Sequence, residues 1–230
     1  MADKYLSIIT NFGCHYSCPE CIVRNNKLKM TPTDENSSWD NLSRTLGENP
    51  DMNWVSVSGG GDPLFHWWEH QFWWLGLYTV CTSARRRLEL HTGYLPTDDS
   101  KMFVLFPYSM FNRIVYHVHN INELKKVTRA CDEIVRVVFV VDDSMTEDDI
   151  NAIADFVKES DQIDELSFRQ RVDENYESTY HLHDFLKAGH QKRWWYIEQC
   201  DYNTYYHNGK LYTKYTDIFE KEPHDNVLTV

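Results

Sequence analysis

No run in this sequence approaches the ~20 consecutive apolar residues that cross a bilayer, and Met1-Ala2-Asp3-Lys4-Tyr5 is not the basic region and apolar stretch of a signal peptide. A soluble, cytoplasmic protein with no membrane partner is therefore expected. Basic residues are in deficit: 23 Lys and Arg stand against 35 Asp and Glu, a formal charge of -12. Such a field repels polyanions, so nucleic acid is disfavoured as a partner, and Arg85-Arg86-Arg87 is too short a basic run to reverse it. Internal repeats and low-complexity segments are absent as well. Cysteine is scarce: of six, at 14, 18, 21, 81, 131 and 200, only the first three cluster. That is unlike the spread pairing of a secreted disulfide framework and fits a reducing compartment. Cys81 and Cys131 fall near the ends of predicted helices, where a small buried thiol is the default.

What is present is an ordinary globular balance, 42% hydrophobic and 25% charged, with a high aromatic share of 14% that includes eight tryptophans. At 230 residues one large domain with a sizeable core is expected. Runs of β-branched and apolar residues predict six strands, at 5–10, 53–58, 87–91, 113–117, 135–141 and 165–169. Amphipathic stretches predict helices at 37–47, 66–82, 98–107, 121–131 and 146–160, with Ser37, Asn120 and Ser144 as caps. Strongly apolar strands alternating with helices suit a parallel sheet in an α/β protein, a partial or full barrel, whose functional groups collect after the carboxyl ends of the strands.

Two motifs fall at that end. Cys14-His15-Tyr16-Ser17-Cys18-Pro19-Glu20-Cys21 follows the first strand. Three thiolates leave a coordination position open for a substrate or cofactor, whereas a closed structural site takes a fourth ligand. The competing assignment is a zinc-stabilised, non-catalytic binding module in which His15 or Cys200 completes the site. Gly59-Gly60-Gly61-Asp62-Pro63 ends the second strand. Its glycines let backbone amides and carbonyls approach a ligand, and a plain turn is the alternative.

With this loop, spacing and glycine context, residues 5 to 170 resemble the radical S-adenosylmethionine (radical SAM) superfamily. The resemblance implies an α/β fold, a partial (β/α)6 barrel of the radical SAM type over 1–170, with a short aromatic-rich C-terminal extension, 171–230, covering the barrel. It implies a 4Fe-4S cluster on Cys14, Cys18 and Cys21, with SAM chelated to the remaining iron. Reductive cleavage would then give a 5′-deoxyadenosyl radical that takes hydrogen from a small molecule or a partner's side chain. The electron would come from a reductase or a flavodoxin-like donor. Glu20 stands where the family commonly has an aromatic residue, and Asp62 where a glutamate is usual. Gly59, Gly60, Gly61, Asp62 and Glu20 are carried over as cofactor-binding positions. The size is similar to that of glycyl-radical activating enzymes and deazaguanine-forming synthases.

Other candidates come from position. His91 and Thr92 end the third strand, where the resemblance implies polar groups that contact the ribose or carboxylate of SAM, with an ordinary strand-to-helix turn as the alternative. His117 and His119 share a strand face by the period of two, so both are expected to point into the barrel; His117 reads as a satisfied interior histidine and His119 as a candidate for substrate. Asp142 closes the fifth strand, toward the nucleoside or as a cap. Arg169 and Arg171 lie on one side of the sixth strand, Arg169 for a carboxylate of SAM and Arg171 for substrate, with a solvated ion pair as the alternative. The aromatic stretch 66–75 is expected to pack Trp67, Trp74 and Tyr78 inward, leaving other rings for a partner. Beyond 170, a helix at 180–188 and strands at 194–199, 202–206 and 211–215 are predicted, with an Asn208-Gly209 turn. No second cysteine group is there to hold an auxiliary cluster.

Overall fold

The computed structural model describes residues 4–18, 21–95, 108–172, 177–198 and 204–219. Its framework is a mostly parallel sheet of nine strands, in the order β7-β6-β5-β4-β3-β2-β1-β8-β9. The six strands expected from the apolar runs form with bounds shifted by at most one residue: β1 Tyr5–Thr10, β2 Trp54–Gly59, β3 Arg87–Thr92, β4 Arg113–Val118, β5 Ile134–Val141 and β6 Glu165–Gln170. They pair in sequence order and all in parallel. The protein is thus a mixed α/β chain built on a mostly parallel sheet.

The described strands of the later stretch join the same sheet. β7 (Trp195–Ile197) adds in parallel to β6, and β8 (Thr204–His207) adds in parallel to the opposite edge, beside β1. β9 (Lys210–Tyr212) closes that edge through the Asn208-Gly209 turn, with both residues at positive φ as a two-residue hairpin requires. Tyr205, Ile218 and Phe219 from this stretch make a small second core with Ile9 and Met30.

Register separates the two faces. Leu6, Val55, Leu88, Ile114, Val135, Leu166 and Phe168 belong to one face, which forms the main core with the helices. Those helices are α2 (Asp40–Glu48), α3 (Gln71–Ser83), α4 (Ile121–Leu124), α5 (Glu147–Glu159) and α6 (His183–Ala188); the short α1 (Ile22–Asn25) follows the cysteine loop. The other face carries Ser7, Ser56, Glu89 and Arg113 in one row, His91, Arg136 and Glu165 in the next, then His117 and Ser167. Arg113 on β4 donates to the Tyr5 hydroxyl on β1 at 3.1 Å and lies 4.2 Å from the Trp54 ring on β2. β1 and β4 are three strand spacings apart, about 14 Å along a flat sheet. Arg113 thus reaches across β3 and β2 to β1 over this polar face, as side chains do on the inner, concave side of a curled sheet.

Several expected helices are trimmed, for local reasons. The stretch 66–82 divides because His66 takes a left-handed conformation, φ 48°, before a single 3-10 turn, and α3 starts only at Gln71. The stretch 121–131 is helical only to Leu124. Beyond it the Glu133 carboxylate takes the amides of Ala130 and Cys131 at 2.9 and 2.7 Å, holding a turn in place of further helix. Cys131 is exposed as a result, not buried as expected; Cys81 is buried, and burial pushes its thiol up to about 12. Thr146, not Ser144, caps α5 through a capping box with Asp149. Asn120 caps α4 as expected. The helix expected at 98–107 lies outside the described residues. Among the described residues, no helix is long and apolar enough to cross a membrane.

Candidate functional site

The loop after β1 turns at Gly13, whose φ of 114° suits glycine, and whose missing Cβ leaves room for the Phe65 ring that would otherwise lie 2.7 Å away. Cys21 caps α1, its Sγ accepting from the Arg24 amide at 3.4 Å, and its own amide donates to the Cys18 carbonyl at 3.2 Å. The Arg24 guanidinium also donates to that carbonyl. Cys14, Cys18 and Cys21 are all free thiols. Burial pushes the Cys14 thiol up, and negative charge on Asp62, Cys18 and Cys21 adds to this, against a hydrogen bond with the Tyr16 backbone that pulls the other way. Glu20 lies outside the described residues.

The glycine loop locks onto this one. Gly60 donates its amide to the Thr10 carbonyl at 2.8 Å and Asp62 donates to the Gly13 carbonyl at 3.0 Å. A Cβ on Gly61 would sit 2.1 Å from the Gly13 carbonyl oxygen, and one on Gly60 2.7 Å from the Met30 sulfur. The glycines therefore serve the approach of loop to loop. Asp62 is 5% exposed. Its carboxylate accepts from the amides of Gly93 at 2.7 Å and Leu64 at 2.9 Å and from the Thr92 hydroxyl at 2.9 Å. Burial nevertheless pushes its acid up to about 6. Its side chain is a tie between the ends of β2 and β3, which brings Gly93 against the Tyr16 ring, where a Cβ would lie 3.1 Å from a ring carbon.

Thr92 and His91 part company. Thr92 joins Asp62, while His91, on the concave face, bonds Glu89 through Nε2 at 2.8 Å and His117 through Nδ1 at 3.0 Å. Arg113 completes a buried network, 2.7 Å from Glu89 and 3.3 Å from Glu165, which in turn takes Arg136 Nε at 2.6 Å. His119 does not join His117: it lies past the end of β4 and bonds the Glu123 carboxylate at 3.0 Å. Asp142 accepts from the Ser144 amide and hydroxyl at 2.8 and 2.6 Å in the turn before α5, whose cap is Thr146 rather than Asp142. Arg169 is half-buried on the concave face and near enough to His117 to influence its ionisation, whereas Arg171 is exposed beyond β6. The Glu89-His91-His117 chain was not foreseen. Its signal was present in polar residues on one strand face, Glu89 with His91 two apart and Arg113 with His117 four apart, inside otherwise apolar strands.

Among the described residues, no group of three or more His, Cys, Asp or Glu side chains converges to hold a single metal ion. His15 packs its ring 3.6 Å from Tyr94 and 3.8 Å from Tyr16, and Cys200 lies outside the described residues. A cavity of about 570 Å³, lined by Trp54, Arg87, Phe111 and Cys131 among others, opens at the opposite, amino-terminal ends of the strands.

No family model and no curated protein matches this sequence. A solved structure does. The crystal structure of Streptococcus suis SuiB bound to S-adenosylmethionine superposes with a TM-score of 0.51 at 14% identity, over 85% of this chain. This chain spans about half the length of that protein, 47%. At such identity the likeness concerns the fold: the large, mostly parallel sheet with its helices is shared with a protein whose structure holds S-adenosylmethionine.

Proposed function

We propose that this chain is a radical SAM enzyme, its sheet a partial (β/α)6 barrel with the reaction at the carboxyl ends of the strands. The observation that carries the reading is the lock between the three-thiol loop and the glycine loop, with Asp62 bonded to Gly13 at 3.0 Å. It sits at the strand ends of a fold shared with SAM-bound SuiB. Cys14, Cys18 and Cys21 would hold a 4Fe-4S cluster, and backbone groups of Gly59, Gly60 and Gly61 would take the ammonium group of SAM. When bound, the cluster supplies the electron that cleaves SAM to methionine and a 5′-deoxyadenosyl radical. The chain itself orients and shields. Asp62 positions the glycine loop through Thr92 and Gly93, and the rings of Tyr16, Tyr94 and Phe65 limit water at the mouth. The concave face would receive the substrate, a small molecule or a partner's side chain. A cytoplasmic reductase or flavodoxin-like protein would deliver the electron.

The test is anaerobic purification with iron and sulfide counted. The reading expects about four irons per chain, lost when any one of Cys14, Cys18 and Cys21 becomes alanine. Stoichiometric zinc with no iron after reconstitution would instead favour the binding module.

A further inference from the structure

The concave face holds a chain of three titratable groups that the cysteine and glycine loops do not use. Glu89, 3% exposed and paired with Arg113 at 2.7 Å, stays a carboxylate and can only accept. His91 Nε2, 2.8 Å away, must therefore carry a hydrogen. In neutral His91 the lone pair is then on Nδ1, and His117 Nε2, at 3.0 Å, donates to it. This order leaves His117 with its lone pair on Nδ1, which makes no hydrogen bond among the described residues.

We propose that His117 Nδ1 is a hydrogen-bond acceptor and base on the concave face, oriented by Glu89 through His91, for a hydroxyl or ammonium proton of a small polar substrate. This rests on the radical SAM reading of the same face. A second observation points to the ligand. Ser167 is 0% exposed, its hydroxyl has no hydrogen-bond partner among the described residues, and it shares the register row His117, Val138, Ser167. Two strand spacings, about 10 Å, separate the ends of that row. A molecule with two polar groups about that far apart would bond both ends.

The surrounding charges favour a neutral His117. Burial first, then the positive charges of His91, Arg169 and His119, depress its pKa well below the ordinary histidine value, against the opposing pull of Glu89. Arg113 on its own strand and Arg136 on β5 are engaged by Glu89 and Glu165. A proton taken from substrate would stay on the imidazole pair, with the Glu89 carboxylate bonded to His91 Nε2 balancing its charge.

The experiment is long-range proton–nitrogen NMR of the full chain labelled at histidine, with His117 assigned by loss of its signal in His117→Gln. The expected result is an unprotonated Nδ1 and a protonated Nε2 on His117 from pH 6 to pH 8, with Glu89→Gln producing a mixture of tautomers. A His117 protonated at Nδ1 would overturn the inference, and the wild-type spectrum alone decides it if Glu89→Gln fails to fold. Iron is counted on the same preparation, so the tautomer and the parent reading fail separately.

Discussion

The Asp62 carboxylate, at the end of β2, accepts the Thr92 hydroxyl, at the end of β3, at 2.9 Å. This tie aligns the loops that border the cysteine cluster, and it has a measurable pH dependence. Asp62 titrates at about 6 in the folded chain, raised by burial from 3.8. The folded state therefore holds the proton more tightly than the unfolded one. Stability from this group is highest below its unfolded value and falls as pH rises toward and past about 6, by roughly 3 kcal/mol in all.

Asp62→Asn has no such titration, but turns an amide NH₂ toward donors at a cost of about 1–3 kcal/mol. Denaturant unfolding at pH 5 and pH 7.5 should show the deficit of the variant shrinking at the higher pH. A deficit that grows with pH would contradict the account.

Glu89 titrates in the opposite sense. Burial raises its pKa, but the bonds to His91 and Arg113 outweigh this and bring it down to about 2. Its contribution is present above about 4.5 and is lost as pH falls toward 2. At neutral pH, Glu89→Gln strands the Arg113 guanidinium in the interior, and the expected loss is about 3–5 kcal/mol, read as a lower denaturation midpoint. A loss under about 1 kcal/mol would mean that Glu165 alone satisfies Arg113.

Two glycines make a contrasting pair. Gly61→Ala would place a Cβ 2.1 Å from the Gly13 carbonyl oxygen and force the two loops apart, while Gly47, inside α2, has nothing within 4 Å. Gly47→Ala should stabilise by about 0.5–1 kcal/mol through helix propensity. Gly61→Ala should destabilise by about 1–3 kcal/mol and, in calorimetry of the reconstituted protein, weaken SAM binding at least about tenfold. Equal effects at the two positions would remove the argument for loop locking.

The strands and the cysteine loop were legible because each depends on local pattern: short β-branched runs make β1 to β6, and spacing alone groups Cys14, Cys18 and Cys21. What stayed hidden depends on pairing across the chain. That β7 and β8 extend opposite edges of one sheet follows from register, which three- and four-residue strands do not advertise. His117 was matched with His119 by the alternation of a single strand, but β4 ends at Val118, so the real partner is His91 on the neighbouring strand. The glycine run was legible as a site of close approach, although what approaches includes the Gly13 backbone. Trp67 in the 3-10 turn and Trp73 and Trp74 on α3 are buried as aromatic packing suggests, but Tyr78 is exposed rather than packed inward and Phe72 is 90% exposed.

The most direct test of the central claim is chromatography for 5′-deoxyadenosine after anaerobic reconstitution, dithionite reduction and addition of SAM. The account predicts that the wild-type chain forms it, and that alanine at Cys14, Cys18 or Cys21 abolishes it. Reconstituted protein that leaves SAM intact, or cysteine variants that cleave it as well as the wild type, would contradict the account.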